Sequence, residues 1–208
     1  MTGKEKIGIA LWAFITAAVT VMNVTRFSFR LELFPALLLL IPWFADRTFT
    51  VSTLFTPNKN GLRTFLWFAG AIILFYPPLY FGWMITVEHR IWSAPESSEV
   101  FKALQKGLLL LLVAGIPEEV FFRGYLQHSV FKKRDTFVIP LISQRNLIVS
   151  LLFATTHAIA FLNPMRLNVF FPSLLFGYLV EKSKGSLFYA IAMHILSNFI
   201  AMFLITFF

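Results

Sequence analysis

A chain of 208 residues that is 58% hydrophobic, carries 26 Phe and is only 13% charged has more apolar surface than a soluble domain of that length can bury, whereas a bilayer accepts it directly. That excludes a soluble enzyme and gives an all-α fold, a polytopic transmembrane helical bundle. The net charge of +8 invites a nucleic-acid partner, but the basic residues stand between the apolar blocks rather than along one face, so they read as topology determinants and no nucleic acid is expected.

The first apolar block, 7–24, follows Lys4 and Lys6 without a small-residue cleavage site behind it, which predicts a retained span rather than a signal peptide. Block 31–44 begins with Glu32 and holds Pro35 and Pro42. It is short for a full crossing, so a tilted, kinked or partly re-entrant segment is expected. The polar stretch 46–63, with Pro57 to Gly61 at its centre, reads as a loop turn. A long span at 64–87 contains Pro77 and Pro78, where a kink is expected, and the polar stretch 88–99 reads as the mobile loop of the protein. The fourth span, 100–131, ends at the water-exposed Lys132, Lys133 and Arg134. Spans at 145–162, 167–180 and 187–208 complete seven, within bounds of six to eight. The chain reads as a single integral membrane domain, 1–208, without internal repeat. With the N-terminus inside, about eleven Lys and Arg fall in cytoplasmic segments against about six outside, which the positive-inside rule favours. The absence of cysteine removes disulfides and thiolate chemistry, and nothing in the composition sets the oligomeric state.

Charges interrupt the fourth span. Glu118, Glu119 and Arg123 lie in an apolar run that begins at Leu108, and an ionisable group at membrane depth costs a few kcal/mol or more unless it faces a protein interior or wet cavity. At about 100° per residue Glu119 and Arg123 share a face and can pair, whereas Glu118 points into another sector and stays available. Pro117 beside Gly115 is expected to restart the helix, placing both glutamates in a first turn. Two later spans carry His157 and the pair His194 and Asn198, at i and i+4. Singly such groups are more often interhelical hydrogen bonds than catalysts. Six polar groups on three apolar helices must converge or remain unsatisfied, so a buried polar site is predicted.

A carboxylate that takes a proton from water, a histidine that orients that water, and a His/Asn pair that donates to an oxyanion suffice for amide hydrolysis without a covalent nucleophile. The same residue types permit a zinc set of Glu118, His157 and His194 with Glu119 as base, but the zincin spacings are absent, and neither metal nor other cofactor is expected. Ser129, Ser173 and Ser197 are nominal nucleophiles without a triad order or elbow. His89 and His128 read as solvated or interfacial.

Glu118, Glu119 and Arg123, then Phe153 and His157, then His194 and Asn198, in this order on successive helices, resemble the three motifs of the type II CAAX prenyl endopeptidase and bacteriocin-processing family, the Abi or glutamic-type intramembrane proteases. Residues 122–127 after the first motif and 185–187 before the third resemble it too, and the resemblance covers about residues 100–200. It implies that Glu118 and His157 activate water, that His194 and Asn198 form the oxyanion hole, and that Glu119 with Arg123 supports the site. The implied partners are the lipid bilayer and a membrane-anchored protein or peptide, processed at a CAAX end or, as in myxosortase-like members, a C-terminal sorting tail. The implied setting is a prokaryotic cytoplasmic membrane. Two other classes of function use the same residues: a silent immunity or scaffold protein with the polar cluster as packing, and a small transporter or proton relay.

Overall fold

The computed structural model describes residues 1–50 and 55–208. Among the described residues seven helices follow in chain order: α1 Gly3–Val24, α2 Arg30–Ala45, α3 Lys59–Thr86, α4 Ser97–Val130, α5 Gln144–Ala160, α6 Phe170–Lys182 and α7 Phe188–Ile205. Four of them, α1, α3, α4 and α7, are long and apolar enough to cross a membrane. Helix α6, with 13 residues, measures only about 20 Å at 1.5 Å per residue, well short of a hydrocarbon core of about 30 Å. The fold is that of an all-α membrane protein. Among the described residues a hairpin of β1 Phe137–Ile139 and β2 Ile142–Ser143 is added to the helices, and a 3-10 turn, Pro164–Val169, joins α5 to α6.

Side-chain caps fix the starts of α1, α3, α4 and α5. Thr2 and Glu5 form a reciprocal capping box on α1, and the Ser143 hydroxyl accepts from the Asn146 amide at the start of α5. The Asn58 side chain accepts from the Gly61 N–H, so α3 begins at Lys59, inside the stretch that reads as a loop turn. Residues 51–54 of that expected loop lie outside the described residues. The expected mobile loop ends early as well, because Glu96 and Glu99 cap α4 and its first helical residue is Ser97. Helix α3 continues through Pro77 and Pro78.

The largest difference from the sequence reading lies in α4. The helix does not restart at Pro117: Gly115 and Ile116 keep helical backbone angles, and the chain widens to a π-turn over Leu111–Gly115. There the Ile116 N–H reaches back five residues to the Leu111 carbonyl. Pro117 has no N–H to donate, and its ring would crowd the carbonyl four residues earlier, so a wide turn is the local solution. The glutamates therefore lie mid-helix, and the field of a helix N-terminus does not act on them. A second π segment, Val120–Val130, follows.

The second half of α4 is the centre of the molecule. Every residue from Pro117 to Gln127 is buried, with α2, α5, α6 and α7 packed around this segment. Helix α1 is fastened across α5, where the Trp12 indole N–H donates to the Thr156 hydroxyl at 2.8 Å and Thr16 meets the same hydroxyl at 3.0 Å. The Asn23 amide donates to the Ala160 carbonyl at 3.0 Å.

Candidate active site

Four of the six candidate residues are joined directly. Glu119 and Arg123, both fully buried, face each other one helical turn apart with Arg123 Nε 3.4 Å from Glu119 Oε2. That spacing is an ion pair without the alignment of a hydrogen bond, and Nε and Oε2 each lack a hydrogen-bonding partner. Arg123 is held from a second helix instead. Its Nη2 donates to the Ser173 hydroxyl at 2.8 Å and to the Ser173 carbonyl at 3.2 Å, from α6. The guanidinium carbon lies 4.6 Å from the ring centroid of Phe153 and 5.6 Å from that of Phe176.

His194 of α7 stands between the two carboxylates. Its Nδ1 is 2.9 Å from Glu119 Oε1, and its Nε2 is 3.8 Å from Glu118 Oε2. Phe176 stacks on the imidazole at a centroid distance of 4.9 Å and an interplanar angle of 18°. With both ring nitrogens protonated, Nδ1–H donates to Glu119 and Nε2–H is directed at Glu118 or at a substrate atom. Glu119 is thus tied to two groups, Arg123 and His194, rather than to Arg123 alone.

Glu118 has no such clamp. It lines a cavity of about 210 Å³ together with His157, with residues of α1 and α2 among the walls. His157 Nδ1 lies 3.1 Å from the Phe153 carbonyl, a contact that orients the ring and leaves Nε2 for another partner. The sector argument from helix angles anticipates this division between Glu118 and Glu119. The participation of α1 and α2 has no signal in the motifs, which all lie beyond residue 115.

Asn198 is not brought to this cluster. One turn beyond His194 on α7, it lines a separate cavity of about 520 Å³ with Ser197, Asn168, Tyr76 and apolar residues of α3, α6 and α7, and it makes no side-chain hydrogen bond among the described residues. Among the described residues no three of His, Cys, Asp and Glu, the trio Glu118, His157 and His194 included, are grouped as ligands of one metal ion.

Two residues that matter here escaped the motif reading. Ser173 is dismissed as a nucleophile on sequence grounds, yet it is the buried anchor of Arg123, and Phe176, one turn later, covers both Arg123 and His194. Their spacing of three on a short apolar helix was the available signal.

Residues 101–200 match a family model described as Type II CAAX prenyl endopeptidase Rce1-like. No curated protein and no solved structure matches the chain.

Proposed function

Through residues 101–200 the chain belongs to the Rce1-like family of type II CAAX prenyl endopeptidases, and we propose that it cuts a peptide bond of a membrane-anchored substrate by direct attack of water. The observation that carries the reading is the pairing of an unclamped, buried carboxylate, Glu118, with His157 on the wall of one cavity, beside a second carboxylate already committed to Arg123 and His194.

In the proposed reaction Glu118 accepts a proton from a water molecule that His157 orients, and the water oxygen attacks the scissile carbonyl carbon. The tetrahedral oxyanion is met by His194 as an imidazolium, whose Nδ1–H donates to Glu119 and whose Nε2–H donates to the oxyanion. Collapse breaks the carbon–nitrogen bond, and the proton taken by Glu118 passes to the leaving amine, so the products are a carboxylate and a free amine. The apolar surroundings strengthen each of these interactions relative to water. An oxyanion contact from Asn198 is supported by the motif alone, because its side chain opens on the other cavity.

We further infer that the N-terminus and residues 132–144 face the cytoplasm, supported by the distribution of Lys and Arg. Cysteines placed at Lys133 and Ser97 then label from opposite sides of the membrane, and same-side labelling removes that arrangement.

The test of function is cleavage of a farnesylated peptide of CAAX form by the full chain in lipid nanodiscs. Mass spectrometry is expected to find a released C-terminal fragment, absent with Glu118→Gln. Unchanged turnover in Glu118→Gln overturns the assignment of the base.

A further inference from the structure

The ends of three helices meet around a polar cavity away from the paired glutamates. Gln127 and His128 come from the last turn of α4, Arg145 from the first turn of α5 and Glu181 from the last turn of α6, while Lys184 and Gly185 stand in the turn that leads to α7. The space they line measures about 220 Å³. Gly185 shapes it. Its φ of +94° is one that a residue with a side chain rarely adopts, and a Cβ there would stand 2.7 Å from His128 Cε1. That close approach sets the imidazole against the turn that carries Lys184.

The charges on this wall are unevenly used. Glu181, its one acidic residue, accepts through Oε1 from Gln127 Nε2 at 3.2 Å, from Arg145 Nε at 3.0 Å and from the Ser143 hydroxyl. Arg145 commits only Nε to that carboxylate, and its two Nη groups have no hydrogen-bonding partner among the described residues. Lys184 has no ion pair there either. One guanidinium offsets one carboxylate, and a lysine and an imidazole are left over. We propose that this cavity binds a phosphate group, with Arg145 Nη, Lys184 Nζ and a ring N–H of His128 as donors. A guanidinium matches phosphate oxygens in shape, and charge-assisted bonds are about twice as strong as neutral ones. At about 220 Å³ the space is smaller than the roughly 300–1,000 Å³ of ordinary ligand pockets, which suits a single phosphate ester. Lys132 and Lys133 follow α4 directly, placing the cavity at the membrane–water edge, where phospholipid headgroups supply that chemistry. Free phosphate carries the same chemistry. Bound here, either one joins the ends of the helices that carry Glu118 and His157. A simpler role for lysines at helix ends is a general attraction to an anionic membrane surface. That role does not distinguish Lys184 from Lys133.

The experiment uses the full-length protein in a neutral maltoside detergent. Native mass spectrometry compares retention of phosphatidylglycerol with that of phosphatidylcholine of the same acyl chains, whose choline cation opposes Arg145 and Lys184. Phosphatidylglycerol is expected to be retained about tenfold more. Lys184→Gln and His128→Gln each shrink that ratio, and together they bring it to about one. Arg145 is kept because it holds Glu181. Lys133→Gln, at the same membrane edge but off the cavity wall, leaves the ratio within about twofold of wild type. Should the double variant fail to fold, Lys184→Gln against Lys133→Gln carries the test, since both side chains are exposed. In a second arm millimolar inorganic phosphate is added to lipid-free protein and the thermal unfolding temperature is read. A lipid preference without a phosphate shift assigns the site to a headgroup, and a shift that Lys184→Gln weakens, without a lipid preference, assigns it to free phosphate. Neither a lipid preference nor a phosphate shift, a preference or shift that survives the double substitution, or an equal loss from Lys133→Gln and Lys184→Gln overturns the proposal.

Discussion

Helix α3 and the second half of α4 are both apolar membrane segments, yet they occupy opposite environments. In the most apolar window of α3 only 6% of residues are buried, and Leu66, Trp67, Leu74 and Leu79 point outward. From Pro117 to Gln127 everything in α4 is enclosed, including Glu118, Glu119, Arg123 and Gln127. In water the apolar side chains would mark the inside. In a bilayer the lipid accepts them as readily as a core does, so the interior is marked by the groups that lipid refuses. Small residues draw the same distinction. Gly177 of α6 packs so closely on Asn146 and Gln127 that a methyl group there would collide with both side chains, while Gly70 and Gly82 of α3 open onto nothing within 4 Å.

The largest expected effect comes from the enclosed side. Glu118→Gln removes the proposed proton acceptor while keeping its shape, and turnover of the farnesylated peptide is expected to fall by about 10²- to 10⁴-fold with the thermal unfolding temperature in detergent nearly unchanged. Glu119→Gln lowers activity and unfolding temperature together, because it loosens both Arg123 and His194. Should Glu119→Gln leave a well-folded, dead enzyme while Glu118→Gln retains substantial turnover, the two roles are exchanged.

Arg123→Gln strands the Glu119 carboxylate in a dry interior and is expected to cost about 3–5 kcal/mol of stability, measured by denaturant titration in mixed micelles. Ser173→Ala removes one charge-assisted hydrogen bond to Arg123, for about 1–3 kcal/mol. As a positioning residue it should lower kcat with KM held, since it acts on His194 through Arg123 and Glu119. A loss confined to KM would place Ser173 at the substrate instead.

The glycines test the contrast most directly. Gly177→Ala is expected to cost about 1–3 kcal/mol from overpacking, and Gly70→Ala to stay within about 0.5 kcal/mol of wild type. Equal effects at the two positions would erase the distinction between the enclosed and lipid-facing helices.

The smallest effect lies at the helix ends. The Lys4 ammonium, 2.7 Å from Asp46, lowers that carboxyl to about 2 from its ordinary 3.8, with the Thr48 hydroxyl assisting. A depressed carboxylate contributes stability above its unfolded value and loses it as pH falls through its folded one. The contribution of Asp46 is thus whole above about pH 4 and gone below about pH 2. As the lysine is partly exposed, it amounts to about 0–1 kcal/mol. Asp46→Asn should flatten that acid limb of the stability curve slightly and leave the neutral-pH value within the same margin.

Composition alone determined the class and the helical register, because a bilayer admits backbone only with its hydrogen bonds satisfied within a segment. Glu118, Glu119, Arg123, His157 and His194 were legible for the same reason, being ionisable or polar groups where lipid penalises them, and the angle of an ordinary helix separated the free glutamate from the clamped one. What the angle could not foresee was the π-turn at Leu111–Gly115, which carries the helix through Pro117 because the proline's missing N–H and its ring are accommodated by widening rather than by breaking. Tertiary packing decided the rest. It set Asn198 on a separate cavity, made Ser173 and Phe176 the support of Arg123 and His194, and brought α1 and α2 to the wall beside Glu118. These are contacts between helices far apart in the chain, and the pattern within any one apolar helix is nearly indifferent to them, since lipid and protein satisfy its side chains equally.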